Sequence, residues 1–291
     1  WWQLFSYCGQ SGQILDCSSA ITGRSSNSCN WCTYFYRYFT QHNFQVVMSR
    51  IDVQSLNLSS ADKVLCRDLS FSLNYRECWG LLGKNGAGKT SLIQSIAGLR
   101  EFNSGTIKLN DTNVKEFRRS ELAREIGILF QDGLETLPST VLETVMLGRH
   151  PHVQSLFKDN SDDIAIAQKA LADFSLQKIQ HRQINSLSGG EKQRVAIAML
   201  TTQSPNMYLL DEPSNHLDIA YQMDILNTLL RRLTEQNAGM LMATHDINLA
   251  ARFCTKFILL FENGETLCGG SEDILNQENL SRAYGCEIHK I

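Results

Sequence analysis

The sequence predicts an α/β fold with parallel strands in its core, and three apolar runs support that prediction. "CWGLLG" (78–83), "MYLLDEP" (207–213) and "GMLMATHD" (239–246) each have the length and composition of a short buried strand. Each run ends in glycine or in polar residues. Because parallel α/β sheets bind ligands at the carboxyl ends of their strands, we expect the functional site to lie where these runs end.

The bulk composition is that of a globular protein with one large domain or two smaller ones. The chain has 291 residues, of which 43% are hydrophobic and 20% charged, and its net charge is −3. It has neither the basic excess of a nucleic-acid-binding protein nor a polybasic block for lipid headgroups, so we expect no nucleic-acid partner. No apolar run reaches the roughly 18 residues that span a bilayer, so work at a membrane would require another chain.

Residues 1–47 differ from the rest of the chain. They are rich in Ser, Cys and aromatic residues, contain three charged residues, and show no clean helical or strand period. The first methionine is Met48, where "MSRIDVQSLNL" (48–58) begins a strand-like alternation. We therefore expect 1–47 to be a disordered or non-native extension and 48–291 to be the working domain. A signal or anchor is the weaker alternative, because no basic segment precedes an apolar one.

The nine cysteines have no spacing that requires a metal or a disulfide. Cys29 and Cys32 form a CxxC in "CNWC", but no second pair accompanies them. From Ala61 onward the cysteines lie inside apolar patterns, so we expect buried free thiols.

The strongest motif is "GKNGAGKT" (83–90), which matches G-x-x-x-x-G-K-[ST] between a predicted strand and the predicted helix "SLIQSIAGL". Its glycines let backbone N–H groups face phosphates, and the helix N-terminus adds partial positive charge. Lys89 can reach the β- and γ-phosphates, and Thr90 can offer a hydroxyl to Mg²⁺. The candidate nucleotide-binding residues of this stretch are Gly83, Lys84, Asn85, Gly86, Ala87, Gly88, Lys89, Thr90 and Ser91.

The other two core strands deliver acid, base and hydrogen-bonding groups. Asp211 at the end of its strand can hold Mg²⁺ through water, and Glu212 can polarise an attacking water. His245 follows the third strand. A lone histidine there is more often structural, but beside a phosphate loop a γ-phosphate contact is the better interpretation.

A fourth stretch, "LSGGEKQR" (187–194), predicts the start of a helix. Ser188 has the position of an N-cap and Glu191 follows three residues later, as in a capping box. Gly189 and Gly190 leave backbone N–H groups uncovered by side chains, which makes an anion site with no phosphate of its own.

Six motifs in order give the chain its family resemblance over essentially all of 48–291. They are "GKNGAGKT" (Walker A), "LFQD" (Q-loop, with Gln131), "LSGGEKQR" (signature), "YLLDEP" (Walker B), "SNHLD" (D-loop, with Asp218) and "ATHD" (switch histidine). Together they resemble the ATP-binding subunits of ABC transporters. "LPSTVLETVMLGRHPH" (137–152) further resembles the subgroup that imports iron-siderophore complexes, haem and cobalamin.

The resemblance implies an architecture and a set of partners. It implies a RecA-like phosphate-loop core over about 48–133 and 187–291, an ABC-type antiparallel β subdomain, and an α-helical subdomain over about 134–186. It implies ATP and Mg²⁺ as ligands. It also implies a second copy of the chain, multi-span permease subunits and an extracytoplasmic binding protein, with the ATPase peripheral on the cytoplasmic face of the membrane.

The resemblance also implies residue roles. Lys89, Gln131, Glu212 and His245 would serve catalysis, with Glu212 as general base, and Thr90, Gln131 and Asp211 would serve Mg²⁺. Ser188, Gly189, Gly190 and Asp218 would contact ATP held by the partner subunit.

One departure from the family pattern concerns the nucleotide base. The family usually has an aromatic residue that stacks on adenine, and the alignment places Ser59 there, with no aromatic between Val53 and Leu69. We therefore expect weak base contacts and reduced preference for adenine, since base stacking contributes about 1–3 kcal/mol.

Two other functions stay open at this stage. A non-transport ABC ATPase, such as an assembly factor, would share every catalytic motif. A nucleotide-binding regulator would bind without turnover.

Overall fold

The computed structural model describes residues 50–60, 63–130, 134, 138–153, 161–214 and 218–287. The predictions for residues 1–47, for Cys29 and Cys32, and for Gln131 lie outside the described residues. Within the described part the strands form two sheets, one mostly parallel and one antiparallel, and helices pack around them.

The mostly parallel sheet has the strand order β10-β9-β3-β8-β7-β6. Its strands are β3 (Cys78–Leu82), β6 (Ile126–Leu129), β7 (Met207–Asp211), β8 (Gly239–Ala243), β9 (Lys256–Leu260) and β10 (Thr266–Gly270). All neighbours pair in parallel except β10, which returns antiparallel to β9. The three predicted core strands are confirmed, and they lie side by side as β3, β8 and β7. Their carboxyl ends therefore meet at one edge.

The second sheet is antiparallel, with the order β2-β1-β4-β5. It consists of β1 (Arg50–Ser60), β2 (Lys63–Asn74), β4 (Ser104–Leu109) and β5 (Thr112–Asn113). Its buried side chains, such as Val53 and Leu109, share one apolar core with Leu92 and Ile96 of helix α1 (Lys89–Ile96). The β subdomain expected from the family resemblance is confirmed, and it covers one side of the helix that follows the phosphate loop.

Helix α2 (Arg119–Glu125) precedes β6. A group of helices follows that strand: α3 (Val141–Met146), the 3-10 helix Leu147–His152, α4 (Ser161–Asp173) and α5 (Gly189–Gln203). Helix α5 packs against α3, α4 and the 3-10 helix. The segment "GRHPH" (148–152) is tied to the end of α5: the Arg149 guanidinium donates to the Thr202 carbonyl at 3.1 Å, and His152 Nε2 lies 2.8 Å from the Gln203 carbonyl oxygen.

Four further helices complete the described chain. Helix α6 (Ile219–Gln236) and helix α7 (Ile247–Phe253) follow β7 and β8, and the short helices α8 (Ser271–Ile274) and α9 (Gln277–Tyr284) end it. None of the helices in the described ranges combines the length and apolar character needed to cross a membrane.

The expectation that the cysteines after Ala61 are buried is wrong for two of them. Cys66 and Cys254 are buried, but Cys268 on the edge strand β10 and Cys286 after α9 are exposed. An edge strand and a helix end border solvent, which a local apolar pattern does not reveal. Burial raises the pKa of Cys66 and of Cys78 to about 11, so these two thiols stay protonated at neutral pH.

Gly148 tests the packing of the 3-10 helix on α5. A Cβ added there would lie 2.2 Å from the Met199 carbonyl oxygen and 3.1 Å from the Gln203 amide nitrogen. Because both atoms belong to helix backbone, Gly148→Ala should lower the free energy of unfolding by about 1–3 kcal/mol, as measured by urea denaturation. Gly270→Ala is the matched control, since the nearest atom to its Cβ is 3.7 Å away. Equal stability of the two variants would contradict this packing.

Candidate nucleotide-binding site

A cavity of about 620 Å³ lies at the carboxyl ends of β3, β7 and β8. Its size is typical of small-ligand sites. The lining side chains are polar or charged except for Leu65 and the glycines, and they are Ser60, Lys63, Leu65, Asn85, Gly86, Gly88, Lys89, Thr90, Ser91, Asp211, Glu212 and His245. The cavity thus joins the predicted phosphate loop to the predicted Asp211, Glu212 and His245. Gly83, Lys84 and Ala87 belong to the same loop without lining the cavity.

The phosphate loop has the backbone conformation that its glycines allow. Gly83, Gly86 and Gly88 have positive φ, and Gly88 is the left-handed N-cap of α1. A Cβ on Gly88 would lie 2.9 Å from the Leu65 Cβ, and one on Gly83 would lie 2.8 Å from the Leu260 carbonyl oxygen. The N-cap of α1 supplies no side-chain hydrogen bond to the first turn. The first-turn N–H groups of the helix can therefore serve an anion.

Lys89 is buried at the bottom of the loop and compensated by oxygen atoms. Its Nζ donates to the Gly83 carbonyl at 2.8 Å and to the Lys84 carbonyl at 3.3 Å, and it lies 4.0 Å from Glu212 Oε1. Burial lowers the pKa of the Lys89 ammonium below its ordinary value, and the carboxylates of Glu212 and Asp211 oppose that shift. The ammonium is thus fixed in place at the cavity wall.

Glu212 and His245 form a contact pair next to this ammonium. Glu212 Oε2 lies 2.7 Å from His245 Nδ1. The Glu212 side chain is buried, whereas that of His245 is 60% exposed. Glu212 has φ +52°, an uncommon conformation for a residue with a side chain, and its N–H donates to the Ala243 carbonyl at 3.0 Å. Strained backbone held by a neighbouring strand is a frequent property of functional sites.

The signature residues line a second cavity, of about 640 Å³, rather than the first. Ser188, Gly189 and Gly190 lie there with Asp218, and Glu191, Arg194 and Tyr221 complete the lining. The predicted capping box is confirmed, since the Ser188 N–H donates to Glu191 Oε2 at 2.8 Å and the Glu191 N–H donates to Ser188 Oγ at 3.3 Å. Asp218 caps α6, accepting from the Tyr221 N–H at 3.0 Å. The structure therefore places the predicted residues in two groups.

Several residues at these cavities were not predicted from the sequence. Gln193 of α5 is buried and its Nε2 donates to the Pro213 carbonyl at 3.0 Å, which ties the signature helix to the residue after Glu212. Lys63 donates from Nζ to the Gly86 carbonyl at 2.8 Å. Neither contact is local in sequence, so no periodicity or motif could indicate it.

Tyr284 on α9 is a further such residue. Its hydroxyl is buried and faces the backbone amide of Gly83. Burial raises the pKa of Tyr284, the Gly83 amide opposes that shift, and the carboxylates of Glu212 and Asp246 add to it. The Tyr284 hydroxyl therefore stays neutral beside the phosphate loop at physiological pH.

The predicted position of Ser59 is wrong by one residue. The Ser59 hydroxyl donates to Asn103 Oδ1 at 2.9 Å and does not line the cavity, whereas Ser60 does. No Phe, Tyr or Trp is among the described residues that line this cavity.

The donor set of the first cavity fits a nucleoside triphosphate with a divalent cation. Helix N–H groups and the Lys89 ammonium suit phosphate oxygens. The Thr90 hydroxyl and the Asp211 carboxylate are hard oxygen ligands of the kind that Mg²⁺ prefers. Fold and cavity together define a phosphate-loop protein that binds nucleoside triphosphates.

Comparison with known proteins identifies the family. The family model described as ABC transporter matches residues 66–215. The chain is 33% identical to the Iron(3+)-hydroxamate import ATP-binding protein FhuC of Bacillus subtilis, over 79% of this chain and 87% of that protein. It is 32% identical to the Hemin import ATP-binding protein HmuV of Escherichia coli O157:H7, over 82% and 93% respectively.

Among solved structures, the chain is similar to cbiO1 from Clostridium perfringens, part of the ABC transporter complex cbiONQ. The TM-score is 0.67 with 26% identity, over 80% of this chain and 92% of that one. The chain belongs to the family of ABC transporter ATP-binding subunits, and it is an ATPase.

The position of Ser60 generates a test of base recognition. Ser60→Tyr should place a ring at the cavity and raise the affinity for ATP and for GTP by about tenfold each, since stacking on a ring contributes about 1–3 kcal/mol for any base. Ser59→Tyr is the matched control, because Ser59 faces Asn103. The measurement is nucleotide affinity by isothermal titration calorimetry. A larger gain for Ser59→Tyr than for Ser60→Tyr would contradict the assignment of Ser60 to the cavity.

Proposed function

We propose that this chain hydrolyses ATP to energise an importer of an iron-siderophore complex, haem or cobalamin. Two copies would act with separate multi-span permease subunits and an extracytoplasmic binding protein, at the cytoplasmic face of the membrane. We assign the working domain to 48–291 and leave 1–47 outside it. Within the domain, the RecA-like core covers about 48–133 and 187–291, and the helical subdomain about 134–186.

The separation of the two cavities carries the proposal of a dimer. The phosphate-loop cavity holds Lys89, Glu212 and His245, while Ser188, Gly189 and Gly190 line another cavity on a different set of elements. A helix N-terminus that exposes N–H groups suits an anion. The phosphate that it meets would be bound to the loop of a second copy, so each chain would complete its partner's site.

The reaction in this proposal is an in-line attack of water on the γ-phosphorus. Glu212 Oε2 is held by His245 at 2.7 Å and is the group that accepts the proton of the attacking water. Lys89 neutralises the β- and γ-phosphate oxygens, and His245 contacts the γ-phosphate. Thr90, Asp211 and Gln131 would hold Mg²⁺, which supplies charge neutralisation at the phosphates.

The importer assignment draws on two relatives, an iron-hydroxamate import and a haem import ATP-binding protein, which are 33% and 32% identical to this chain. A surface on the helical group supports a permease partner. Leu147 is the first residue of the 3-10 helix and Val153 follows its last residue; they are 49% and 48% exposed. Exposed apolar side chains on a rigid segment are suitable for contact with another protein.

Glu212→Gln should separate ATP binding from turnover. We expect turnover to fall at least 10²-fold, because the proton acceptor is lost while the shape of the side chain is kept. The variant should also elute as a dimer in gel filtration with ATP. Glu235→Gln is the control, since Glu235 is exposed on α6 and pairs only with Lys169 among the described residues. A Glu212→Gln protein that stays monomeric with ATP would contradict dimer closure.

Uptake in a strain that lacks the gene tests the importer assignment. Supplying the wild-type chain or Glu235→Gln should restore uptake of one radiolabelled cargo among ferric hydroxamate, haem and cobalamin. Glu212→Gln should restore none, because transport needs hydrolysis. If the wild-type chain hydrolyses ATP yet no cargo enters in any strain, the importer assignment is overturned in favour of a non-transport ABC ATPase.

A further inference from the structure

Lys63 lies at the opening of the phosphate-loop cavity. It begins β2 and pairs in register with Ser60, the last residue of β1, so the two residues flank one connection between strands. The Lys63 side chain is exposed, lines the cavity, and donates from Nζ to the Gly86 carbonyl at 2.8 Å. The antiparallel sheet thus places a second ammonium, in addition to that of Lys89, in the lining of this cavity.

The hydrogen-bonding capacity of this ammonium is not used up. A lysine ammonium has three N–H donors, and the Gly86 carbonyl takes one of them. Space beside Gly86 is open, since a Cβ added there would have no atom within 4 Å. Among the described residues the Gly86 carbonyl is the one acceptor bonded to Lys63, which leaves two donors for an acceptor that enters the cavity next to the loop.

The charges of the neighbouring lysines are compensated in a way that the charge of Lys63 is not. Lys89 lies 4.0 Å from Glu212 Oε1, and Lys84 lies 3.5 Å from Glu262 Oε2. Among the described residues no carboxylate lies within ion-pair distance of Lys63. An ammonium with a free charge and free donors at a phosphate loop is suited to phosphate oxygens.

We infer that Lys63 is a phosphate-binding residue of this ATPase, and that it sets a nucleotide preference based on the phosphates rather than on the base. The inference rests on the proposed placement of ATP at the phosphate loop. Lys63 is bonded to the loop itself, and the residues beside it are the small Ser60 and the aliphatic Leu65, which offer the base no ring on which to stack. The polyphosphate chain is thus bound by two ammonium groups, that of the buried Lys89 and that of the exposed Lys63.

Equilibrium binding of three probes tests this inference on the full chain. The probes are adenylyl imidodiphosphate, guanylyl imidodiphosphate and inorganic tripolyphosphate, each measured by calorimetry with Mg²⁺. Lys63→Met should raise Kd about 5- to 20-fold, by the same factor for all three, because the lost charge-assisted hydrogen bonds go to phosphate. The factor should shrink at high salt, since Lys63 is exposed and its charge is screened. Lys63→Arg should restore most of the affinity.

The controls separate this inference from others. Lys169→Met removes another exposed ammonium, on α4, and should leave all three Kd values unchanged. Thermal unfolding of each variant shows that the fold is kept.

Three outcomes would overturn the inference. An unchanged Kd in Lys63→Met overturns it alone. A loss for the two nucleotides but not for tripolyphosphate overturns it in favour of a cation–π contact with the base. Unchanged binding in Lys89→Met would instead overturn the placement of ATP, and the role of Lys63 with it.

Discussion

The buried ammonium of Lys89 is the constraint on which the site depends. A desolvated charge is costly unless oxygen atoms surround it. The Gly83 and Lys84 carbonyls supply two of them, and they can turn inward only because the loop glycines adopt positive φ. The Glu212 carboxylate supplies the third oxygen. This requires β7 to lie close to β3 in the sheet, with only β8 between them. The sheet order, the glycine loop and the strained backbone of Glu212 therefore satisfy one electrostatic requirement.

The backbone next to Glu212 also links the phosphate-loop cavity to the helix that carries the signature residues. Its side chain touches His245 and lies beside Lys89, while the next residue, Pro213, accepts a buried hydrogen bond from Gln193 of the signature helix. A buried carbonyl that lost this donor would carry a desolvation penalty of about 1–3 kcal/mol, so this hydrogen bond stabilises the link between α5 and the end of β7. A displacement of α5 would thus be felt at the end of β7.

The sequence predicted the features that depend on neighbours along the chain. The three core strands, the phosphate loop and the Ser188–Glu191 capping box follow from apolar runs and fixed spacings, and the structure has them. The base position was misplaced by one residue, because an alignment of motifs does not show which of two adjacent strand residues faces the cavity. A shift of one residue in a strand exchanges the two faces, so Ser60 and not Ser59 reaches the cavity. Lys63, Gln193 and Tyr284 were missed because their contacts join distant segments.

The charges at the signature cavity bear on the proposed contact with a second copy of the chain. Its helix N-terminus already carries a carboxylate, Glu191, whose pKa is lowered chiefly by the Ser188 N–H. Arg182 lies 3.4 Å from that carboxylate and partly offsets its negative charge, and Arg194 lines the same cavity. Because solvent screens charges at an exposed site, such a site binds a free phosphate weakly. A phosphate already fixed on a protein surface loses less freedom on docking than a free anion does, and this is the advantage that the proposed second copy would have.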